Sequence, residues 1–206
     1  MASKQEIRSA ETKKNILQAA GRLFSTKGYD AVTMREIAKE AGCSHTTIYI
    51  YFKDKEVLLH QLSMPPLLSL MERIDQLIAT QPHPEAQLKA MSLLMIEFCL
   101  TNRNMYNVFF NVKSVRVDHP LPEMELNQLR NNLFSKLTNV IAAYLNNDPL
   151  SERSLMYSRI YFFTLNGIIS TYSSYEETVE QLMERLRPTF EHTFEVLLKG
   201  IDALNT

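Results

Sequence analysis

The feature that most constrains this chain is a pair of helix starts placed close together, with a glycine between them. Thr33-Met34-Arg35-Glu36 is an S/T-x-x-E capping box, in which hydroxyl and carboxylate each satisfy an amide that a helix start leaves open. Behind it Met34, Ile37, Ala38 and Ala41 recur at i, i+3, i+4 and i+7, one face of a 3.6-residue helix. Gly42 ends that helix, and Ser44 is a second N-cap. Two short helices joined by a tight turn are the layout of a helix-turn-helix unit. Upstream, Ile16, Leu17, Ala20, Leu23 and Phe24 mark a supporting helix from Thr12 to a stop at Gly28. Downstream, Asp54 is placed to cap a fourth helix through Lys55-Glu56-Val57-Leu58-Leu59.

The segment after Ser44 argues against itself. Ile48-Tyr49-Ile50-Tyr51-Phe52 consists of β-branched and aromatic residues, which favour strands. A strand here leaves the Ser44 cap without a purpose and has no hairpin partner. On a helix, Ile48 and Phe52 share one face, turned to the two preceding helices, while Thr46, Tyr49, Ile50 and Lys53 point away. The helix is the better reading.

The rest of the chain reads as all-α. Of 206 residues 45% are hydrophobic, with only 5 Gly and 8 Pro, a balance that supports a core and favours helices. Helical periodicity covers 67–80, 85–101, 103–113, 121–146, 150–174 and 177–204. Breaks fall at Gln81-Pro82-His83-Pro84, His119-Pro120-Leu121-Pro122 and Asn146-Asn147-Asp148-Pro149. No apolar run is long enough for a membrane span and the first residues are polar, which points to a cytoplasmic protein with no membrane partner. Cys43 and Cys99 make no disulfide framework and have no metal spacing, and the histidines are scattered, so neither metal nor cofactor is expected. Residues 1–60 hold ten Lys and Arg against seven Asp and Glu, a charge of +3, and the remainder holds twelve against sixteen, −4. A mildly basic head on an acidic body suits a head that meets a polyanion.

The string Ala31 to Leu59, AVTMREIAKEAGCSHTTIYIYFKDKEVLL, resembles the DNA-binding segment of the TetR family of bacterial transcriptional regulators, and Asn15 to Thr33 continues the likeness upstream. The resemblance covers roughly residues 11–60. It implies a helix-turn-helix domain over 11–63 and a helical effector-binding and dimerisation domain over 64–206, about nine helices in all. It also implies a homodimer that binds double-stranded DNA, most often a repressor released by a small-molecule effector. Carried over position by position, Thr33 and Arg35 match phosphate contacts. His45, Thr46 and Thr47, opening the recognition helix behind Ser44, match base-reading positions, and Ser44 is counted with them among the DNA-binding candidates. Tyr49 and Tyr51 match positions near base edges and phosphates, and Lys55 matches a phosphate anchor. Cys43, His45 and Ile50 depart from the common pattern. Ile50 and the threonine methyls are suited to thymine methyls in a major groove.

The body offers weaker candidates. Its methionines and aromatics suit a pocket for an apolar or aromatic effector, with Met95, Phe98, Asn102, Tyr106, Phe110, Tyr161 and Asn166 as lining residues. The last helix carries an apolar stripe that includes Met183, Phe190, Phe194, Leu197 and Ile201. That stripe packs inside the domain, against a second subunit, or both. Met64-Pro65-Pro66 interrupts the pattern where the family's fourth helix usually runs unbroken, and is a hinge candidate. The chain has no nucleophile elbow, P-loop, paired catalytic carboxylates or metal cluster, which speaks against an enzyme. An activator, and an interaction module that no longer binds DNA, stay open beside the repressor.

Overall fold

The structure, a computed structural model, describes residues 3–102, 125–173 and 177–204. Among these residues every regular element is an α-helix, eight in number, and the chain divides into two compact units, one up to Leu67 and one from Leu68 onward.

The first unit holds α1 (Lys4–Lys27), α2 (Met34–Glu40), α3 (His45–Tyr51) and the beginning of α4 (Lys55–Thr80). Helix α1 begins well before Thr12. Ser3 Oγ accepts the Glu6 amide at 3.2 Å, and the Glu6 carboxylate accepts the Ser3 amide at 2.6 Å, a capping box the sequence reading passed over. The added turns are almost wholly exposed, so they carry no apolar stripe to signal a helix. From Ile16 on, α1 buries Ile16, Ala19, Ala20 and Phe24, and packs on α2.

The two helix starts and the turn between them form as their residues dictate. Thr33 Oγ1 accepts the Glu36 amide at 3.2 Å and Glu36 Oε2 accepts the Thr33 amide at 3.0 Å. Gly42 has φ of 69°, a conformation that costs a side-chain-bearing residue free energy. The turn is closed by the Gly42 amide on the Lys39 carbonyl and the Cys43 amide on the Ala38 carbonyl. Ser44 Oγ then accepts the Thr47 amide at 3.0 Å and α3 begins. Ile48 and Phe52 are 0% and 1% exposed. Burying such side chains is worth about 1.5–3 kcal/mol each, whereas a poor helix former costs at most about 0.7 kcal/mol. Burial therefore outweighs the strand preference of the segment.

Helix α4 is capped by Asp54 Oδ1, which accepts the Val57 amide at 2.9 Å. It runs through Pro65 and Pro66 without interruption, where the sequence suggested a break. Proline's fixed φ is itself helical. The lost amides cost bonds to the carbonyls one turn back, yet flanking Ser63 and Leu67, both 0% exposed, hold the segment by burial.

In the second unit, the tail of α4 is followed by α5 (Pro84–Thr101), α6 (Glu125–Leu145), α7 (Glu152–Tyr172) and α8 (Val179–Ala203). Helix α5 is apolar around most of its circumference, with Leu88, Met91, Leu94, Ile96, Phe98 and Cys99 buried, the mark of a helix enclosed by neighbours. It packs against α6, α7 and α8, and α6 packs against α7. The stripe of α8 is spent here. Met183, Phe190, Phe194 and Ile201 are 7%, 2%, 0% and 3% exposed within this single chain, and Phe194 stacks on Tyr161 at 5.0 Å. These four candidates for a subunit contact are thus buried within the single chain, on a helix that α5 packs against; Leu197 is half-buried. The segment expected over 103–113 lies outside the described residues.

Candidate functional site

In the first unit, α3 and the bend that follows it present an exposed face. His45, Thr46, Tyr49, Ile50 and Lys53 are exposed, and Ile50, at 75%, is among the most exposed apolar side chains described. The rings of His45 and Tyr49 meet edge to face at 5.2 Å, one helical turn apart. Thr47 is half-buried, its Oγ1 2.7 Å from Ser44 Oγ, and Tyr51 is also half-buried. A groove beside this face is lined by Thr33, Arg35 and Lys39 from the start and flank of α2, and by Cys43 and His45. Arg35 and Lys39 place two cations alongside the outer face of α3. Burial raises the Cys43 thiol pKa above its ordinary value.

Two ionic contacts hold this face in position. Lys27 Nζ donates to Glu36 Oε1 at 2.9 Å. That hydrogen bond, with those from the Thr33 amide and hydroxyl, brings the Glu36 carboxyl down to about 2. Lys55, expected from the sequence as a phosphate anchor, makes contacts within the chain. Its ammonium turns inward, donating to the Tyr29 carbonyl at 2.7 Å and the Val32 carbonyl at 3.0 Å, and lies 4.2 Å from the centre of the Tyr29 ring. It thereby ties the loop between α1 and α2 to the start of α4. Burial, with Glu56, Asp54 and Asp30 nearby, pushes the Tyr29 hydroxyl up to about 12.

The second unit contains a small, partly open cavity of about 50 Å³. Leu133, Phe134 and Leu137 of α6, Phe162 and Leu165 of α7, Ile74 of α4, and Met91 and Met95 of α5 line it. Its polar lining, among the described residues, is Ser92, Tyr161 and Arg130. Ser92 Oγ and Tyr161 Oη stand 2.7 Å apart and lie 2.7 and 2.9 Å from the Leu88 carbonyl. Arg130 is 5% exposed, and burial lowers its pKa.

Of the residues expected to line a pocket, Met95 and Tyr161 do. Phe98 is buried elsewhere in the core, and Asn102 donates through Nδ2 to the Phe98 carbonyl at the end of α5. Asn166 is half-buried and is not among the described lining residues; Tyr106 and Phe110 lie outside the described residues. Sequence reasoning missed Ser92 and Arg130. The signal for Arg130 was present: it stands at the head of the stripe Arg130, Leu133, Phe134, Leu137, a charge where the helical period calls for an apolar residue.

The exposed apolar residues of this unit form a second feature. Met156, Ile160 and Phe163 line one face of α7 at 46%, 38% and 64% exposure, and Val196 of α8 is 56% exposed.

Comparison with known proteins bears on the first unit by sequence and on the chain as a whole by fold. Residues 16–62 match the family model of bacterial regulatory proteins, tetR family. The HTH-type transcriptional regulator YerO of Bacillus subtilis is 27% identical over 197 residues, covering 85% of this chain and 63% of the relative. The HTH-type transcriptional regulator AcrR of Shigella flexneri is 42% identical over 62 residues, covering 30% of this chain and 29% of its own. The chain thus spans less than two thirds of the length of these relatives, which are named as regulators and not as enzymes. The crystal structure of the transcriptional regulator FadR from Bacillus subtilis in complex with stearoyl-CoA superimposes with a TM-score of 0.55 at 20% identity, over 90% of this chain and 95% of that one. That likeness concerns the fold.

Proposed function

We propose that the chain, whose residues 16–62 match the family model of bacterial regulatory proteins, tetR family, is a cytoplasmic transcriptional repressor of that family. It binds a near-palindromic operator as a homodimer and leaves it when a small molecule occupies the second unit. The observation that carries the reading is the division of α3 into two faces: Ile48 and Phe52 locked into the core, and His45, Thr46, Tyr49, Ile50 and Lys53 free to enter a major groove. Residues of these types have partners there: hydroxyl and imidazole groups for base edges, apolar carbon for thymine methyls. Arg35, Thr33 and Tyr51 are assigned to the flanking phosphates. Lys55 is assigned to the loop it ties down, with phosphate contact secondary.

The dimer is assigned to the exposed stripe Met156, Ile160 and Phe163 on α7 together with Val196 on α8. Apolar side chains so arranged meet water in the single chain, and a C2 contact pairs the stripe with itself. Two recognition helices then address successive major-groove faces roughly 34–36 Å apart.

The cavity is assigned to the effector, which the FadR relative's occupancy by stearoyl-CoA favours. To swing occupancy from nearly all bound to nearly all free, an effector must distinguish the two states by about 5.5 kcal/mol.

The test is binding to duplexes selected from a random pool, measured against salt. The logarithm of affinity is expected to fall with the logarithm of salt concentration by about 0.9 per phosphate neutralised. A flat salt response, or no sequence enriched by selection, removes the DNA-binding reading.

A further inference from the structure

We propose that Ile50 sets the base preference of α3 by reading thymine methyl groups, so that each operator half-site is recognised by where its 5-methyl groups lie and not by paired hydrogen bonds. This deepens the DNA-binding reading above and rests on it.

The argument is one of side-chain types. Bidentate readout of guanine takes an arginine or a lysine, and that of adenine an asparagine or a glutamine. Helix α3, His45-Thr46-Thr47-Ile48-Tyr49-Ile50-Tyr51, has none of the four. Thr47 is half-buried and its Oγ1 is paired with Ser44 Oγ at 2.7 Å. Single hydrogen bonds from His45, Thr46 and Tyr49 remain, and these lack the two-point match that separates one base from another. The cations stand at the margins: Arg35 and Lys39 on α2, lining the groove that His45 also lines, and Lys53 beyond the Phe52 cap. There they suit phosphates, which fix register and carry no sequence information.

Ile50 is what the face offers instead. It is 75% exposed, and Tyr49 beside it is 47% exposed, with its ring braced edge to face on His45 at 5.2 Å. The helix is held through Ile48 and Phe52 on the opposite side, and isoleucine is a poorer helix former than alanine or lysine. Neither packing nor propensity therefore calls for an isoleucine at this position. Thr46 lies one turn before Ile50 on the same side, about 6 Å along the axis, so its methyl extends the apolar strip. In the major groove the thymine methyl is the one apolar group that a base edge presents. Covering it takes carbon surface of both partners out of water. A cytosine at the same place presents an amino donor, for which Ile50 returns no hydrogen bond.

The experiment uses the full-length chain and an operator that it selects from random duplexes. Each thymine of one half-site is replaced in turn by uracil, together with its mate in the other half-site. Uracil keeps every hydrogen-bonding group of thymine and lacks only the methyl. Affinity is read by fluorescence anisotropy of labelled duplex at one low salt concentration, where phosphate contacts sustain measurable binding. At one or more positions the replacement is expected to weaken binding about fourfold per half-site, or roughly fifteenfold for the pair. Ile50→Ala is expected to bind the thymine and uracil duplexes alike at those positions. With Ile50 so exposed and alanine the better helix former, that variant is expected to fold. Selected half-sites with no thymine that uracil weakens overturn the inference and leave the DNA-binding reading standing. A loss that persists undiminished in Ile50→Ala overturns the assignment to Ile50. Selection of no duplex at all overturns this inference together with the reading it rests on.

Discussion

Replacing Lys55 with methionine separates two roles that the sequence cannot tell apart. Methionine keeps an apolar stem of similar length against Tyr29 and removes the charge and its donors. The structure gives the ammonium two hydrogen bonds to loop carbonyls, at 2.7 and 3.0 Å, and a place 4.2 Å from the Tyr29 ring centre. Hydrogen bonds to a charged group are worth about 1.5–3 kcal/mol each, and the ring contact adds about 0.5–1 kcal/mol. Against this stand about 1.5–2 kcal/mol of lysine rotamer entropy released by the substitution and the ease with which water reaches carbonyls in a part-buried loop. The net expectation is a local loss on the order of 2 kcal/mol, or roughly thirtyfold in an opening equilibrium. Hydrogen exchange read by mass spectrometry is the assay, with peptides over residues 29–37 expected to exchange roughly thirtyfold faster. Operator affinity should weaken because the start of α2 is loosened, yet the salt dependence should keep its slope. If Lys55 instead serves chiefly as a phosphate anchor, the slope of a dimer falls by about 1.8, which is 0.9 per contact, and exchange over 29–37 stays as it was. That pair of results would refute the staple.

The other expectations are simpler. Glu36 titrates at about 2 in the folded chain against an ordinary 4.5, so its contribution to the start of α2 is complete above about 4.5 and is lost as pH falls toward 2. Lys27→Met removes the largest cause, and a carboxyl titration by NMR should then move up toward the ordinary value; an unmoved midpoint would contradict the assigned cause. Phe194→Ala empties a fully buried site and should cost about 3–5 kcal/mol at every protein concentration, as seen in urea unfolding. A loss that vanished at high concentration would return Phe194 to the subunit contact. Ile160→Asp with Phe163→Asp should instead leave the protomer folded and shift sedimentation to the monomer, and a dimer that persists would displace the interface from α7. Tyr161→Phe should cost only about 0.5–1.5 kcal/mol, since Ser92 still has the Leu88 carbonyl to donate to; a larger loss in thermal unfolding would mean the hydroxyl does more than close that network.

How far the sequence could be read differs by element. The head was legible because its signals are local. A capping box is completed within four residues, Gly42 is needed for its own φ, and the spacing of Ile48 and Phe52 shows which side of α3 turns inward. Helix α1 was legible only from Thr12, because a polar first turn is announced by its cap alone. The body was legible as helices and little more. The stripe on α8 announced a buried face, and Met95 and Tyr161 were found as cavity residues by type. Arg130 was passed over because a charge in an apolar stripe reads as an exposed edge until its neighbours are known.

By itself, then, the sequence determined where helices begin, where the turn between α2 and α3 closes, and which residues of α3 remain outside. These follow from bonds and angles spanning a few residues. Tertiary structure alone decided what covers each apolar face and what surrounds each charge. An amphipathic stripe states that a face must leave water and is silent on the partner, so only the packing of α5 could assign the α8 stripe to the core and leave that of α7 open. Likewise a lysine or an arginine carries its charge in the sequence but acquires its surroundings from residues far along the chain. Tyr29 and Val32 turn Lys55 inward; a ring of apolar side chains makes Arg130 a desolvated cation at a cavity wall.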